Sequence, residues 1–311
     1  MTGPLRALLA KRSPLLLDGA IGTLLEERGV DTGLPLWSAG ALIAAPAALR
    51  RIHVEYLLAG ADILTTDTFR TTGRTFAAAG LPDDSAGLTA QAVALALEAR
   101  AQTGRDGTLV AGSMGPLEDC YRPDLVPPDD DVRKEQQEHA DRLAKAGADF
   151  LFLETMGTIG ESRIAAACAR ATGKEFAVSF LVTERGTLYG GEQIADAVRA
   201  VAPLEPAFLS INCVSPRQAE SAVTQLLDAL RALPAPIPAG IYANVGRPGG
   251  ENDPVFVCDV APDEYARFAR DWARRGLRVI GGCCGTGPAH IAALRREFYP
   301  LFHTPDLLHA P

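Results

Sequence analysis

The chain has 311 residues, 47% of them apolar and 22% charged, with a formal net charge of −8, which is long enough for a large core in one α/β domain. Its basic residues are scattered with no polybasic run, which argues against nucleic acid or an anionic membrane surface and leaves small molecules as the default partners. No N-terminal stretch has the pattern of a signal peptide, and runs such as Ala39 to Leu49 are too short and alanine-rich to span a bilayer, so the reading is a cytoplasmic protein with reduced thiols.

In chain order, residues 15–19 (LLLDG) form a short apolar run ending in Asp-Gly, read as a first strand. A helical pattern follows from about residue 44 to Gly60, with Leu49, Ile52, His53, Tyr56 and Leu57 at helical spacing. Ala59-Gly-Ala-Asp-Ile-Leu64 then leads into TTDTF, and Ala146-Gly-Ala-Asp-Phe-Leu151 leads into FLET, so one helix-end, turn and strand signature recurs 87 positions on. Further strands are expected at Leu109 to Ser113, Phe176 to Val182, Phe208 to Cys213, Ile237 to Asn244 and Val279 to Cys284. Helices rich in alanine, leucine and charge fill the gaps, at Ala86 to Ala101, Val132 to Ala146, Ile194 to Val201, Gln218 to Leu233, Pro262 to Arg275 and Ala289 to Phe298.

Eight strands alternating with helices specify a (β/α)8 TIM barrel, taken as a single domain over residues 1–311. The competing doubly wound sheet lacks its Gly-rich dinucleotide fingerprint after the first strand. Three Pro- or Gly-rich segments fall outside the repeat: Thr32 to Ser38, Glu118 to Asp131 and Gly246 to Asp259. Barrel active sites lie at the C-terminal ends of the strands, so these segments are expected to form the walls or lids of a pocket there.

Six cysteines are distributed along the chain. Cys283 and Cys284 are adjacent at the expected end of the last strand, where a disulfide between neighbours is geometrically unfavourable. Two thiolates aimed at one point suit a soft metal, and zinc needs at least three protein ligands. Cys213, closing Ser210-Ile-Asn-Cys213, supplies the third, because strands six and eight share parity and point side chains into one barrel layer. Such a site leaves the fourth position for water or substrate. Cys168 lies in an alanine-rich helix and reads as a packed thiol. Cys120 and Cys258 lie in loops without a ligand partner at suitable spacing and are left out of the site. His53 reads as a packed helix residue, and His139 and His290 as helix surface.

The GGCCGT run with a preceding INC, the N-terminal Leu17-Asp-Gly-Ala-Ile-Gly-Thr23 and the mid-chain Leu153-Glu-Thr155 together resemble the zinc-dependent homocysteine S-methyltransferase family, over residues 15–296 or so. The resemblance implies a zinc ion on Cys213, Cys283 and Cys284, and transfer of a methyl group to homocysteine to give methionine. It also implies that Asp18 and Glu154 take the α-ammonium of homocysteine, with the backbone N–H groups of Gly19, Ala20 and Ile21 receiving its carboxylate. Asn244 is carried over as an occupant of the metal's fourth position when substrate is absent, or as an indirect contact. Asp67, Phe69 and Arg70 fall where family members face the methyl donor. Betaine-using relatives carry an aromatic where Arg70 stands, and cobalamin-dependent ones an Asn-type residue in the same motif. The implied donor is therefore a sulfonium, S-methylmethionine or S-adenosylmethionine, since the chain has no room for folate and cobalamin modules. Alternatives at this point are another thiol or selenol as acceptor, betaine or a separate corrinoid protein as donor, and a non-catalytic zinc-binding barrel.

Overall fold

A computed structural model describes residues 3–247 and 257–300, with backbone only at residues 247, 257 and 258. Cys258 and most of the Gly246 to Asp259 segment therefore lie outside the described side chains.

Eight short strands run parallel: β1 (Leu15–Leu16), β2 (Ile63–Thr65), β3 (Leu109–Met114), β4 (Phe150–Met156), β5 (Phe176–Leu181), β6 (Leu209–Asn212), β7 (Ala239–Ala243) and β8 (Leu277–Gly282). Each pairs with its neighbour in chain order from β2 to β8, and β8 pairs with β1. The ring closes through Leu17 opposite Ile63, where the Asp18 N–H donates to the Ile63 carbonyl at 3.0 Å. This is the expected (β/α)8 barrel, in which parallel strands are buried on both faces and so read as continuous apolar runs. The helices at Ile194–Val201 and Pro262–Arg275 have the expected bounds. The cysteines, by contrast, stand just past the ends of β6 and β8, in the loops that follow.

Two apolar layers hold the barrel together. The larger lies between the sheet and the helices, and a smaller one fills the barrel, where Phe150, Phe152, Phe208 and Tyr242 meet. Phe152 sits at ring-centroid distances of 5.4 Å from Phe208 and 5.6 Å from Tyr242. A helix at Pro4–Lys11 was not expected from the sequence. It packs Leu5 and Leu9 onto the barrel's inner cluster. Its start is tied to Glu175, which precedes β5 and accepts the Leu5 N–H at 2.7 Å and the Arg6 N–H at 3.2 Å. The helix thus covers the N-terminal end of the barrel.

The repeated Ala-Gly-Ala-Asp has a structural cause. Gly60 and Gly147 end their helices with φ of 105° and 98°, a left-handed cap that costs a residue with a side chain more than glycine. The aspartate two residues on then ties the next strand to the previous one. Asp62 accepts the Leu16 N–H at 3.1 Å and pairs with Arg12 and Arg295, and Asp149 accepts the Val110 N–H at 2.7 Å and pairs with Arg100 at 2.6 Å. Asp62 is 1% exposed and Asp149 23%, so removing charge from the first leaves buried donors less well satisfied. Asp62→Asn is expected to lower the free energy of unfolding in urea by about 2 kcal/mol, and Asp149→Asn by clearly less. Equal losses would mean that burial does not set the difference.

His139 and His290 are corrected by the structure: both are buried, at 1% and 7% exposure, rather than on helix surfaces. The His139 face of its helix packs on β3, where Nε2 lies 3.3 Å from the Ser113 carbonyl. His290 Nδ1 accepts the Gly287 N–H at the start of the last helix, at 3.1 Å, and Nε2 faces the Val260 carbonyl. His53 is packed as expected, and burial lowers it to about 4, so it stays neutral.

Candidate active site

A cavity of about 740 Å³ opens at the C-terminal ends of the strands. Its floor carries Cys213, Cys283 and Cys284, and its walls include Asp18, Glu154 and Asn244 together with Asp67, Phe69 and Arg70. Gly19 and Ala20 line it too, so the structure brings every site residue expected from the sequence to one place. Of the segments expected to form walls, Thr32 to Ser38 contributes Leu34, Pro35, Trp37 and Ser38, and Glu118 to Asp131 contributes Glu118 to Tyr121.

The thiols come from strands on either side of β7. Cys213 Sγ lies 3.0 Å from Cys283 Sγ, Cys283 Sγ lies 4.0 Å from Cys284 Sγ, and all three sulfurs fall within 4.8 Å of one another. A tetrahedral zinc with Zn–S bonds of about 2.3 Å calls for sulfurs roughly 3.8 Å apart, so the donor set fits that ion. The electrostatics agree. Hydrogen bonds from Cys213 and then Cys283 hold the Cys284 thiol well below its ordinary value. Cys213 is pushed well above it, first by its hydrogen bond with Cys283, then by that with Cys284 and by burial. A trio that resists a second and third negative charge is one that a dication relieves. Asn244 fits as well, because its Oδ1 is buried beside the cluster without a hydrogen-bond partner.

The glycines of GGCCGT explain how this floor is built. A Cβ on Gly281 would stand 2.3 Å from the Leu17 Cβ, and one on Gly282 would stand 2.1 Å from Thr286 Oγ1. Strand β8 can therefore approach β1 and the Thr286 turn only because both residues lack side chains. Thr286 Oγ1 donates to the Cys283 carbonyl at 2.7 Å and accepts the Ala20 N–H at 3.2 Å, joining the thiol turn to the loop after β1. The Ala20 N–H, assigned above to a substrate carboxylate, is thus engaged by Thr286.

Backbone conformation marks the same place. Trp37, Thr155 and Cys213 have φ of 49°, 63° and 56°, and all three line the cavity. For a β-branched threonine this is a rare and costly conformation. A chain of buried hydrogen bonds holds it: Ser179 Oγ donates to Asn212 Oδ1 at 2.8 Å, and Asn212 Nδ2 donates to Thr155 Oγ1 at 3.0 Å. Asn212 precedes Cys213 and Thr155 follows Glu154, so this chain connects the bases of a thiol and a carboxylate.

Both expected carboxylates are buried in a state that disfavours charge. Burial pushes Asp18 well above the usual carboxylate range, and the charge of Glu154 adds to it. The Thr65 N–H and Oγ1, at 2.8 Å and 3.0 Å, act the other way. Burial lifts Glu154 to about 7 against hydrogen bonds from Ser113 Oγ and the Tyr242 hydroxyl, while the Cys284 charge adds to the rise. Two such acids near one another call for a cation.

Thr65, Ser113 and Tyr242 are site residues that the sequence does not single out, whereas Tyr121 lies in the Glu118 to Asp131 segment, whose aromatic, cationic and acidic groups suit recognition of a donor. Thr65, Ser113 and Tyr242 lie within strands, where their polar atoms carry no pattern distinct from core residues. Cys120, which has no ligand partner at suitable spacing in the sequence, lines the cavity, and burial raises its thiol to about 12. The signal was its place in a segment already expected to form a wall.

Barrel, mouth and site together define an enzyme of the α/β-barrel class. The family model for homocysteine S-methyltransferase matches residues 15–298, and the chain belongs to that family of methyltransferases. It is 36% identical to the homocysteine S-methyltransferase of Escherichia coli K12, over 94% of this chain and 97% of that one. It is 28% identical to homocysteine S-methyltransferase YbgG of Bacillus subtilis, over 93% and 95%. The metallated crystal structure of the homocysteine methyltransferase MmuM from Escherichia coli superimposes with a TM-score of 0.80 at 34% identity, covering 94% of this chain and 99% of that one. Among the described residues no helix is long and apolar enough to cross a membrane.

Proposed function

We propose that the protein transfers a methyl group from a sulfonium donor, S-methylmethionine or S-adenosylmethionine, to the sulfur of homocysteine. The observation that carries this reading is the cluster of three thiols within 4.8 Å, on the floor of a cavity that also buries two carboxylates. Cys213, Cys283 and Cys284 would hold zinc. When bound there, zinc supplies Lewis acidity that keeps the substrate thiol ionised at neutral pH.

The chain's own residues do the rest. Asp18 and Glu154 take the homocysteine ammonium, whose arrival favours their ionised forms. Tyr242 and Ser113 orient the Glu154 carboxylate through donated hydrogen bonds. The homocysteine sulfur forms its new bond to the methyl carbon as the carbon–sulfonium bond breaks and its electron pair stays on the donor sulfur, which leaves as a neutral thioether. The cavity walls align donor and acceptor, and alignment of two bound reactants lowers a barrier by several kcal/mol, roughly 7 to 11 at the upper end. Chemistry that depends on reduced thiols supports a location in a reducing compartment such as the cytoplasm.

The test is elemental analysis of wild type and Cys283→Ser, run beside methionine formation with S-methylmethionine, S-adenosylmethionine and betaine. About one zinc per chain, lost together with activity in the variant, is the expected result, and the donor panel names the donor. A zinc-free wild type that still methylates homocysteine would overturn the thiolate site. Zinc without turnover on any donor would overturn the substrate assignment.

A further inference from the structure

The loop after β2 carries two opposite charges three residues apart, Asp67 and Arg70, and both line the cavity. Asp67 is 4% exposed. Its Oδ1 accepts from Ser38 Oγ at 2.5 Å, and its Oδ2 is buried with no hydrogen-bond partner. A buried carboxylate oxygen left without a partner is costly unless a ligand satisfies it. Arg70 is the one cationic side chain among the described residues lining the cavity. Its Nη1 donates to the Glu118 carbonyl at 3.2 Å, and its guanidinium lies 5.5 Å from the centre of the Phe69 ring.

The neighbouring carboxylates are engaged elsewhere. The Glu118 side chain pairs with Arg74 at 3.0 Å, Asp119 accepts the Tyr121 N–H at 2.9 Å, and Glu26 accepts from Thr32 at 2.5 Å. Glu161, whose charge interacts with that of Arg70, accepts the Leu117 N–H at 2.9 Å, so among the described residues Arg70 and Asp67 face the cavity without a direct ion pair to a side chain of opposite sign. Trp37 and Phe69 stand beside them, edge to face at 6.0 Å. An aromatic pair of this kind attracts an onium group, but a guanidinium beside it without a direct ion pair would repel one. A ligand that brings its own carboxylate removes that conflict.

We propose that Asp67 and Arg70 form the seat for the α-amino acid end of the methyl donor, with Asp67 taking the ammonium and Arg70 the carboxylate. The inference rests on the methyl-transfer reading above and adds which two residues hold the donor's amino-acid end, so that an onium lacking either charged group is a poorer donor. Arg70 is then a specificity residue rather than part of a cage, and the arginine in place of an aromatic is accounted for.

The test uses the zinc-loaded enzyme with three donors that share a dimethylsulfonium: S-methylmethionine, its des-amino analogue 4-(dimethylsulfonio)butanoate and its des-carboxy analogue 3-(dimethylsulfonio)propylamine. Arg70→Gln is expected to lower kcat/KM for S-methylmethionine and the des-amino donor by roughly 10- to 100-fold, with a much smaller change for the des-carboxy donor. Asp67→Asn, which keeps an acceptor for Ser38, should do the converse: S-methylmethionine and the des-carboxy donor fall and the des-amino donor falls much less. If either variant lowers all three donors by the same factor, or wild type uses all three alike, the seat is overturned. Calorimetric binding of S-methylmethionine needs no turnover and separates this inference from its foundation. Weaker binding to both variants with an inactive wild type would uphold the seat and sink the methyl-transfer reading; absence of binding to wild type would sink the seat.

Discussion

Replacing Cys213 with glycine is expected to leave the barrel folded and to empty the metal site. Cys213 has φ of 56°, and a residue with a side chain pays roughly 1–2 kcal/mol to adopt that left-handed conformation, whereas glycine does not. On backbone grounds the substitution is therefore neutral or stabilising, which is unusual for a change at the floor of a site. Chemically it removes one of three thiolates, and two thiolates fall short of the protein ligands a catalytic zinc requires. Turnover should fall by on the order of a thousandfold, since members of a catalytic unit fail together rather than in proportion. Three measurements check it: the melting temperature of the metal-free variant against metal-free wild type, zinc per chain, and methionine formation. A variant that retained its zinc would show that Asn244 or a carboxylate can replace the thiol. One that failed to fold would show that Cys213 is structural, and its strained backbone would need another explanation.

The fold was legible because its signals are local. Short apolar runs, helical spacing and the recurring Ala-Gly-Ala-Asp each report a unit that the barrel repeats, and the structure gives the aspartate of that signature a bonding role at both copies. The helix at Pro4–Lys11 was missed because a single eight-residue segment has no second copy to compare with, and its reason for folding is the open end of the barrel rather than its own sequence. The thiols were legible for a different reason, since two adjacent cysteines after a strand have few other uses. Their supports were not. Ser179, Asn212 and Thr155 form one hydrogen-bonded line across three strands, and nothing in any single strand reveals a partner on the next. The burial of His139 and His290 escaped for the same reason: the carbonyls they face, Ser113 and Val260, belong to other elements. Cys120 is the converse case: ligand spacing points away from the site, and its place in a wall segment points to it.

Glu154→Gln is expected to stabilise the metal-free protein above neutral pH while crippling its use of homocysteine. Burial raises Glu154 from 4.5 to about 7, so the fold holds its proton more tightly than the unfolded chain does. Below about pH 4.5 both states are protonated and this group contributes nothing to the difference. As pH rises from there to about 7, the unfolded chain gives up its proton first, and stability falls by about 1.4 kcal/mol per pH unit. The accumulated cost is about 3 kcal/mol and is present in full above pH 7. Asp18 and Asp67 are raised too and act in the same direction, while the depressed His53 and His139 act oppositely at lower pH. The difference between variant and wild type isolates Glu154 from all of these. Urea unfolding at pH 5 and pH 8 should show the variant gaining on wild type by about 3 kcal/mol at the higher pH, and curves that stay parallel would refute it. Glutamine can still accept from Tyr242 but offers no charge to the substrate ammonium, so the KM for homocysteine should rise by roughly 10- to 100-fold. That pairing separates a carboxylate kept for binding from one kept for packing, because only the first loses function as the protein becomes more stable.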